Sequence, residues 1–421
     1  MNFTQCNLGS GIRLHLCETD KFKSITCKVF IQQDLDKEKA SSTALIPLIL
    51  RRGSQKFPST LQIARELEYL YAADFSSDVL KIGERQILEF YFDMVDPALL
   101  PNGAQNAERG LGTFWDIITN PAGSGSRFVE TYFSQEQQNL QQEVEGLVNN
   151  KRAYAMARAI SEMFSDEPFG VYKYGDVEGI NNLKNEAVFQ HFQELLTTCP
   201  LDIFLVGPNL DVLANMFARF DLQRGKIQTL QPPVQKEVKE PRYITETMDV
   251  QQSILFMGYR TNHMYLNDNY YALLVGNGIL GGFPHSKLFM NVRERASLAY
   301  YVGSSIEGTK GVLTITAGID GTKVDQTINI IEQQLEDLQN GIVSEEELDQ
   351  TKRGLITSIT SMSDNPASII DRSIIGIVNG QMRSIDYVTQ AIERVTLDDV
   401  VRVMNKLTLD LVYVLQGKKE E

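Results

Sequence analysis

The sequence predicts an α+β protein made of two homologous halves, each a mainly antiparallel sheet covered by helices. Three observations lead there. The chain has 421 residues, too many for one hydrophobic core of ordinary size. Strand-like and helix-like stretches follow one another in a similar order twice. Short signatures also recur at nearly one offset. Ser134-Gln135-Glu136 answers Ser344-Glu345-Glu346, and Leu205-Val206-Gly207 answers Leu415-Gln416-Gly417, both 210 positions on. Ile180, Leu183, Val188 and Phe192 match Ile392, Val395, Val400 and Met404 at 212. A period of that length marks a domain duplication, not a solenoid.

The elements follow in order. IRLHLCE (12–18) and SITCKVFIQ (24–32) read as a β-hairpin about a polar turn at Asp20 and Lys21. A helix over 41–51 takes Ser41 or Ser42 as its cap and buries Ala44, Leu45, Ile46, Leu48, Ile49 and Leu50 before closing at Gly53. A second helix covers 59–71, a strand 87–96 and a helical region 101–118. A Gly/Ser turn at 123–126 leads to one long polar helix over 134–163, further helices and the strand LDIFLVG. Residues 222–247, with three prolines, many charges and no apolar period, read as a linker. The expected division is therefore 1–221, 222–247 and 248–421. Beyond the linker come a strand at 252–260, a helix at 266–276, a glycine loop at 276–283, a helix, two strands, long helices and the closing strand DLVYVLQG.

Composition narrows the function. With 43% hydrophobic and 22% charged residues the chain is of globular type. A net charge of −14 argues against nucleic acid or an anionic membrane surface as the main partner. The start, MNFTQCNLGS, has neither a basic nor an apolar leader region, and the apolar run Ala44 to Leu50 is far too short for a membrane span. Cys6, Cys17, Cys27 and Cys199 form no CxxC pair, so free thiols in a cytoplasmic compartment are expected. The four histidines, His15, His191, His263 and His285, are at least 22 residues apart, which disfavours a metal site among them. The stretch GNGILGGF lacks the Lys-Ser/Thr of a P-loop and reads as a helix C-cap and turn before Pro284. The acid pairs in SEEELDQ and ETMD read as solvated helix ends and strand edges.

SKLFMNVRERASLAYYVGSS (286–305) carries more. Its Ser286, Leu288-Phe289, Arg293-Glu294 and Leu298-Ala299-Tyr300, with SDNP at 363–366 and the helix beginning VSEEELDQTK, resemble the insulinase/pitrilysin-type zinc peptidases, which include the mitochondrial processing peptidases. The resemblance covers nearly the whole chain and implies a clamp of two halves around a chamber. Active members of that family carry an inverted zinc motif, His-x-x-Glu-His. Aligned on Gly53-Ser54, its positions fall on Ala44, Pro47 and Leu48, and all three donors are gone. The family's third ligand is a later glutamate, here Glu143 or, one helical face earlier, Glu136; one carboxylate cannot hold zinc.

The resemblance also implies that Arg293 and Tyr300 hydrogen-bond a substrate carbonyl across from a partner's zinc. A guanidinium and a phenol suit a developing oxyanion. Gly281 and Gly282 would belong to a glycine-rich loop that touches substrate in non-catalytic partner subunits. The implied function is a non-catalytic, substrate-binding subunit of a heterodimeric zinc metallopeptidase acting on peptides or small proteins. Zinc would reside in the partner and none in this chain. Bacterial groups of this type are named for elongation factor P modification (aminopentanol type) and for bacteriocin maturation. The alternative is a peptidase-derived binding or scaffold protein, a homodimer without proteolysis, as in respiratory-complex core subunits.

Overall fold

The computed structural model describes residues 2–220 and 222–417; residue 221, the expected end of the first half, lies outside them. In chain order the first half contains β1 (Thr4–Gly9), β2 (Ile12–Glu18), β3 (Ser24–Asp34), α1 (Lys37–Leu50), α2 (Thr60–Tyr69), β4 (Asp74–Ile82), β5 (Arg85–Val95), α3 (Gly103–Thr119), the short ladder β6 (Gly123–Ser124) and β7 (Arg127–Phe128), α4 (Glu130–Gly146), α5 (Lys151–Met163), α6 (Val177–Asn181), α7 (Asn185–Thr198), β8 (Leu201–Gly207) and α8 (Asp211–Phe217). The second contains β9 (Arg242–Met248), β10 (Ser253–Arg260), α9 (Tyr270–Asn277), β11 (Ala299–Glu307), β12 (Val312–Ile319), α10 (Val324–Gln339), α11 (Glu345–Ser361), α12 (Pro366–Val378), α13 (Ile385–Arg394), α14 (Leu397–Met404) and β13 (Thr408–Gly417).

The duplication is visible in the strand order. One sheet runs β1-β2-β8-β3-β5-β4, the other β9-β13-β10-β12-β11. Removing β1 makes them the same sheet. In each, a single parallel pair (β2 with β8, β9 with β13) adjoins otherwise antiparallel strands.

Several expectations need correction. β2 and β3 do not pair with each other, because β8 lies between them, parallel to β2 and antiparallel to β3. All seven residues of β8 are buried, so its backbone groups need a strand on each side. The tight hairpin is instead β1–β2, closed at Ser10-Gly11. α1 starts at Lys37, since Asp36 caps it by accepting from the Glu38 amide; Ser41 is buried one turn inside. The long helix is two, broken at Leu147–Asn149, with Asn150 capping α5. Arg242–Met248, all but its last residue within the span expected as a linker, is the edge strand β9, and one solvated face keeps its composition polar. The Ser134/Ser344 match does not align equivalent points. Ser344 caps α11 in a capping box, whereas Ser134 lies within α4, four residues after its start.

Packing divides the chain into two compact units. One comprises the chain up to Gly146, Val171–Pro232 and Asn365–Ile374; the other comprises Leu147–Gly170, Pro233–Asp364 and the chain from Ile375 on. Each unit therefore includes a segment from the other half of the chain. In the second, Ala155, Ala159, Met163 and Phe164 of Leu147–Gly170 pack on Ile254, Phe256, Leu411, Tyr413 and Leu415, the sheet face opposite the main helices. Glu167 pins this segment. Its carboxylate accepts from Arg260 Nη2 and Lys310 Nζ, each at 2.6 Å, and Arg260 Nε also donates to Asp410 at 2.7 Å. In the first unit, Lys28 Nζ reaches Glu89 and Asp371 at 2.5 Å each, tying Asn365–Ile374 to β3 and β5.

Burial alone would raise the Glu167 pKa, but hydrogen bonds and charge from Arg260 and Lys310 outweigh it and hold the carboxyl below its usual range. A depressed folded pKa stabilises the protein above the unfolded carboxylate pKa, and that stability is lost as pH falls through the folded value. Glu167→Gln should therefore cost about 3 kcal/mol at neutral pH, the scale for breaking a buried ion pair, in urea unfolding followed by circular dichroism. On acidification the wild type should lose this advantage, so that the two stability curves converge.

Candidate active-site segment

The segment that resembles the peptidase motif begins where α9 runs on into a π-helical turn, Gly278–Gly282, rather than ending in the expected cap. Gly281 is dictated by packing. A Cβ there would lie 2.6 Å from both the amide nitrogen and the hydroxyl of Ser304 on β11. Gly282 is exposed and has room around it. Phe283 then stacks on His285, whose Nε2 is 3.1 Å from the Thr351 hydroxyl.

A second π-helical stretch, Phe289–Arg295, follows the buried Ser286. Leu288 and Val292 are fully buried and anchor it. Such wide turns concentrate at functional sites because they re-aim side chains within a helix. Arg293 sits on the last turn, with its side chain 43% exposed. Its guanidinium lies 4.8 Å from the Phe289 ring and its Nε 3.7 Å from Glu294. Ser297 takes a left-handed φ of 52°, which turns the chain back so that the Leu298 amide donates to the Val292 carbonyl at 3.0 Å. Leu298 plugs the core.

β11 then starts with an irregularity. Ala299 pairs with Ile319 and Tyr301 with Gly318, so Tyr300 has no partner on β12 and occupies a bulge. The residue is 72% exposed, the highest value among the large exposed hydrophobic residues described. Arg293 and Tyr300 are thus both exposed, seven positions apart, each on a distorted backbone. Both can donate hydrogen bonds to a carbonyl without giving up a proton.

The first half has no such chemistry on α1. Ala44 and Pro47 are buried and Leu48 is half-buried. Pro47 has no amide hydrogen, and its carbonyl accepts from the Ser77 hydroxyl at 2.9 Å. On α4, Glu136 is buried and already committed to Arg52 at 2.6 Å and Arg51 at 3.6 Å, while Glu143 is exposed. A zinc site needs at least three nitrogen, oxygen or sulfur donors. Ala44, Pro47 and Leu48 offer none from their side chains, so these positions do not fit the metal. Among the described residues no group of three or more His, Cys, Asp or Glu side chains is placed to hold one. His15 is buried against Asp202 at 2.8 Å and stacks on Phe204; His191 contacts the Thr43 hydroxyl at 2.9 Å, and burial pulls its pKa down.

A family model described as the peptidase M16 inactive domain matches residues 201–355. The chain is 30% identical over 412 residues to the probable inactive metalloprotease YmfF of Bacillus subtilis, covering 97% of this chain and 96% of that one. The chain belongs to the insulinase-like M16 peptidase family. It is also 27% identical over 255 residues to the uncharacterized zinc protease YmxG of Bacillus subtilis, covering 59% of this chain and 58% of YmxG. A crystal structure of a conserved protein from Enterococcus faecalis superposes with a TM-score of 0.93 at 28% identity, covering 100% of both chains. The chain is a homologue of an M16 peptidase named as inactive, which is consistent with a non-catalytic peptidase-like protein. Among its described residues no helix is long and apolar enough to cross a membrane.

Reading the sequence missed the bulge, both π-helical turns and the Arg52–Glu136 pair. One signal was available. Arg65-Glu66, Leu70 and Ser76-Ser77 repeat as Arg293-Glu294, Leu298 and Ser304-Ser305, all 228 positions on, and they align α2–β4 with the M16 motif. Purified without chelator, the protein should hold well under one zinc per chain by elemental analysis. Added zinc should leave its melting temperature unchanged, because a ligand stabilises only the state that binds it. A full equivalent of tightly bound zinc would contradict the reading of α1.

Proposed function

We propose that this chain is the non-catalytic, substrate-binding subunit of a heterodimeric zinc metallopeptidase that cleaves peptides or small proteins, with a sister M16 chain supplying the zinc motif. The observation that carries this reading is the contrast between two segments. α1 is committed to packing, whereas the turn and strand that follow α9 hold Arg293 and Tyr300 outward at distorted backbone positions. Tyr300 is 72% exposed in a bulge, the kind of position at which a sheet re-aims a side chain. In the pair, Arg293 and Tyr300 donate to the substrate carbonyl as negative charge develops on its oxygen. Gly282, exposed beside them in sequence, contacts the extended substrate backbone, while Gly281 holds the turn against β11.

The relatives support a partnership. Bacillus subtilis carries both YmfF, named a probable inactive metalloprotease, and YmxG, named a zinc protease, and the chain is similar to each. Four free cysteines are in keeping with a pair that works in the cytoplasm.

The test is reconstitution. The chain is mixed with a zinc-motif M16 chain from the same genome, and cleavage of a quenched peptide library is followed. The mixture should cleave where neither chain alone does. Arg293→Ala and Tyr300→Phe should each lower kcat/KM by about 10²-fold, the scale for losing one oxyanion donor. Unchanged rates in both variants would refute the assigned roles. Absence of cleavage with every such sister, together with a stable homodimer, would favour a binding or scaffold protein instead.

A further inference from the structure

We infer that Arg152 is a positioning residue for Tyr300, acting through Tyr301 and the bulge that opens β11. The inference rests on the proposed role of Tyr300.

Three observations meet at Tyr301. It is the first residue after the bulge to regain a partner, and that partner is Gly318. A Cβ on Gly318 would stand 2.4 Å from Tyr301 Cε1 and 2.7 Å from Gln252 Nε2, so the tyrosine ring occupies the space that any other residue at 318 would fill. The other contact is cationic: the Arg152 guanidinium lies 4.3 Å from the ring centroid. Arg152 stands in the first turn of α5, whose start is set by the Asn150 cap and whose body is buried on β10 and β13. The ring is thus held between a glycine floor and a cation on a fixed helix. A bulge residue is free to aim either way unless its neighbours are held.

The Tyr301 hydroxyl sharpens the point. It is buried and has no hydrogen-bond partner among the described residues, so the contact with Arg152 is made by the ring and not by the oxygen. Packing and the ring face remain, and phenylalanine would supply both. Arg152 comes from the first half of the chain and Tyr300 from the second, although both lie in one packing unit. The segment that covers the second sheet therefore also sets the direction of the proposed substrate-binding phenol.

The test places 3-fluorotyrosine at position 300 of the full chain and reads its fluorine NMR signal, with hydrogen exchange of 299–301 measured in parallel. Arg152→Ala and Gly318→Ala should shift or broaden the signal and speed exchange. Arg152→Lys and Tyr301→Phe should retain the wild-type signal. In the reconstituted pair, Arg152→Ala should lower kcat about tenfold with little change in KM, as expected when only transition-state contact is lost. Should Gly318→Ala fail to fold, Arg152→Ala decides, because its side chain is exposed. An unchanged fluorine signal and unchanged exchange in Arg152→Ala would overturn the inference. If the signal moves but Tyr300→Phe leaves the pair's rate intact, the positioning stands and the proposed role of Tyr300 falls.

Discussion

The Glu167 carboxylate, buried between Arg260 and Lys310, closes a constraint on which the second unit depends. A sheet whose strands are apolar on both sides must be covered on both. β10 and β12 are buried at every position, and the main helices reach only one face. The other face is covered by α5, a helix from the first half of the chain. Bringing three ions together out of water is expensive, and their mutual pairing recovers that cost only in good geometry. Such pairing therefore specifies where the segment sits more than it adds stability. The first unit has a charge cluster of its own, Lys28 with Glu89 and Asp371.

Against this regular packing, several backbone irregularities follow one another in one stretch. Within about twenty residues the chain has two π-helical turns, a left-handed serine and a bulge. A non-glycine residue in the left-handed region costs on the order of 1 kcal/mol. Buried anchors hold the stretch in place: Leu288 and Val292 below the second turn, Leu298 after the reversal, and Ser304 against Gly281. The local distortion is thus over-determined by its surroundings, and its result is the outward aim of Arg293 and Tyr300.

Much of this was legible in the sequence wherever one element speaks for itself. LDIFLVG, QSILFMGYR and DLVYVLQG are strands because β-branched and aromatic residues crowd them, and all three are central. What failed was pairing. Nothing local in β2 or β3 indicates that β8, almost two hundred residues away, separates them. β9 was read as linker because an edge strand needs only one apolar face, and its neighbouring prolines and charges hide the alternation. The repeat was readable near the C-terminal ends of the halves, at offsets of 210 and 212, but the offset grows to 228 at α2–β4. The first half has longer connections, including the β6–β7 ladder, and a fixed offset cannot follow them. The missing zinc donors, by contrast, needed only residue types.

Those missing donors are not simple vacancies awaiting replacement. Ala44 is packed to 1% exposure, so an imidazole there would overfill the core between α1 and its neighbours. Pro47 has removed a helix hydrogen bond, and its own carbonyl is bound by Ser77. Glu136 is neutralised by two arginines that follow α1 directly. Each change would have to be reversed together with its compensation, because residues that share a packing site do not contribute independently. The helix has been rebuilt around packing, and so in the proposed pair any zinc chemistry belongs to the sister chain.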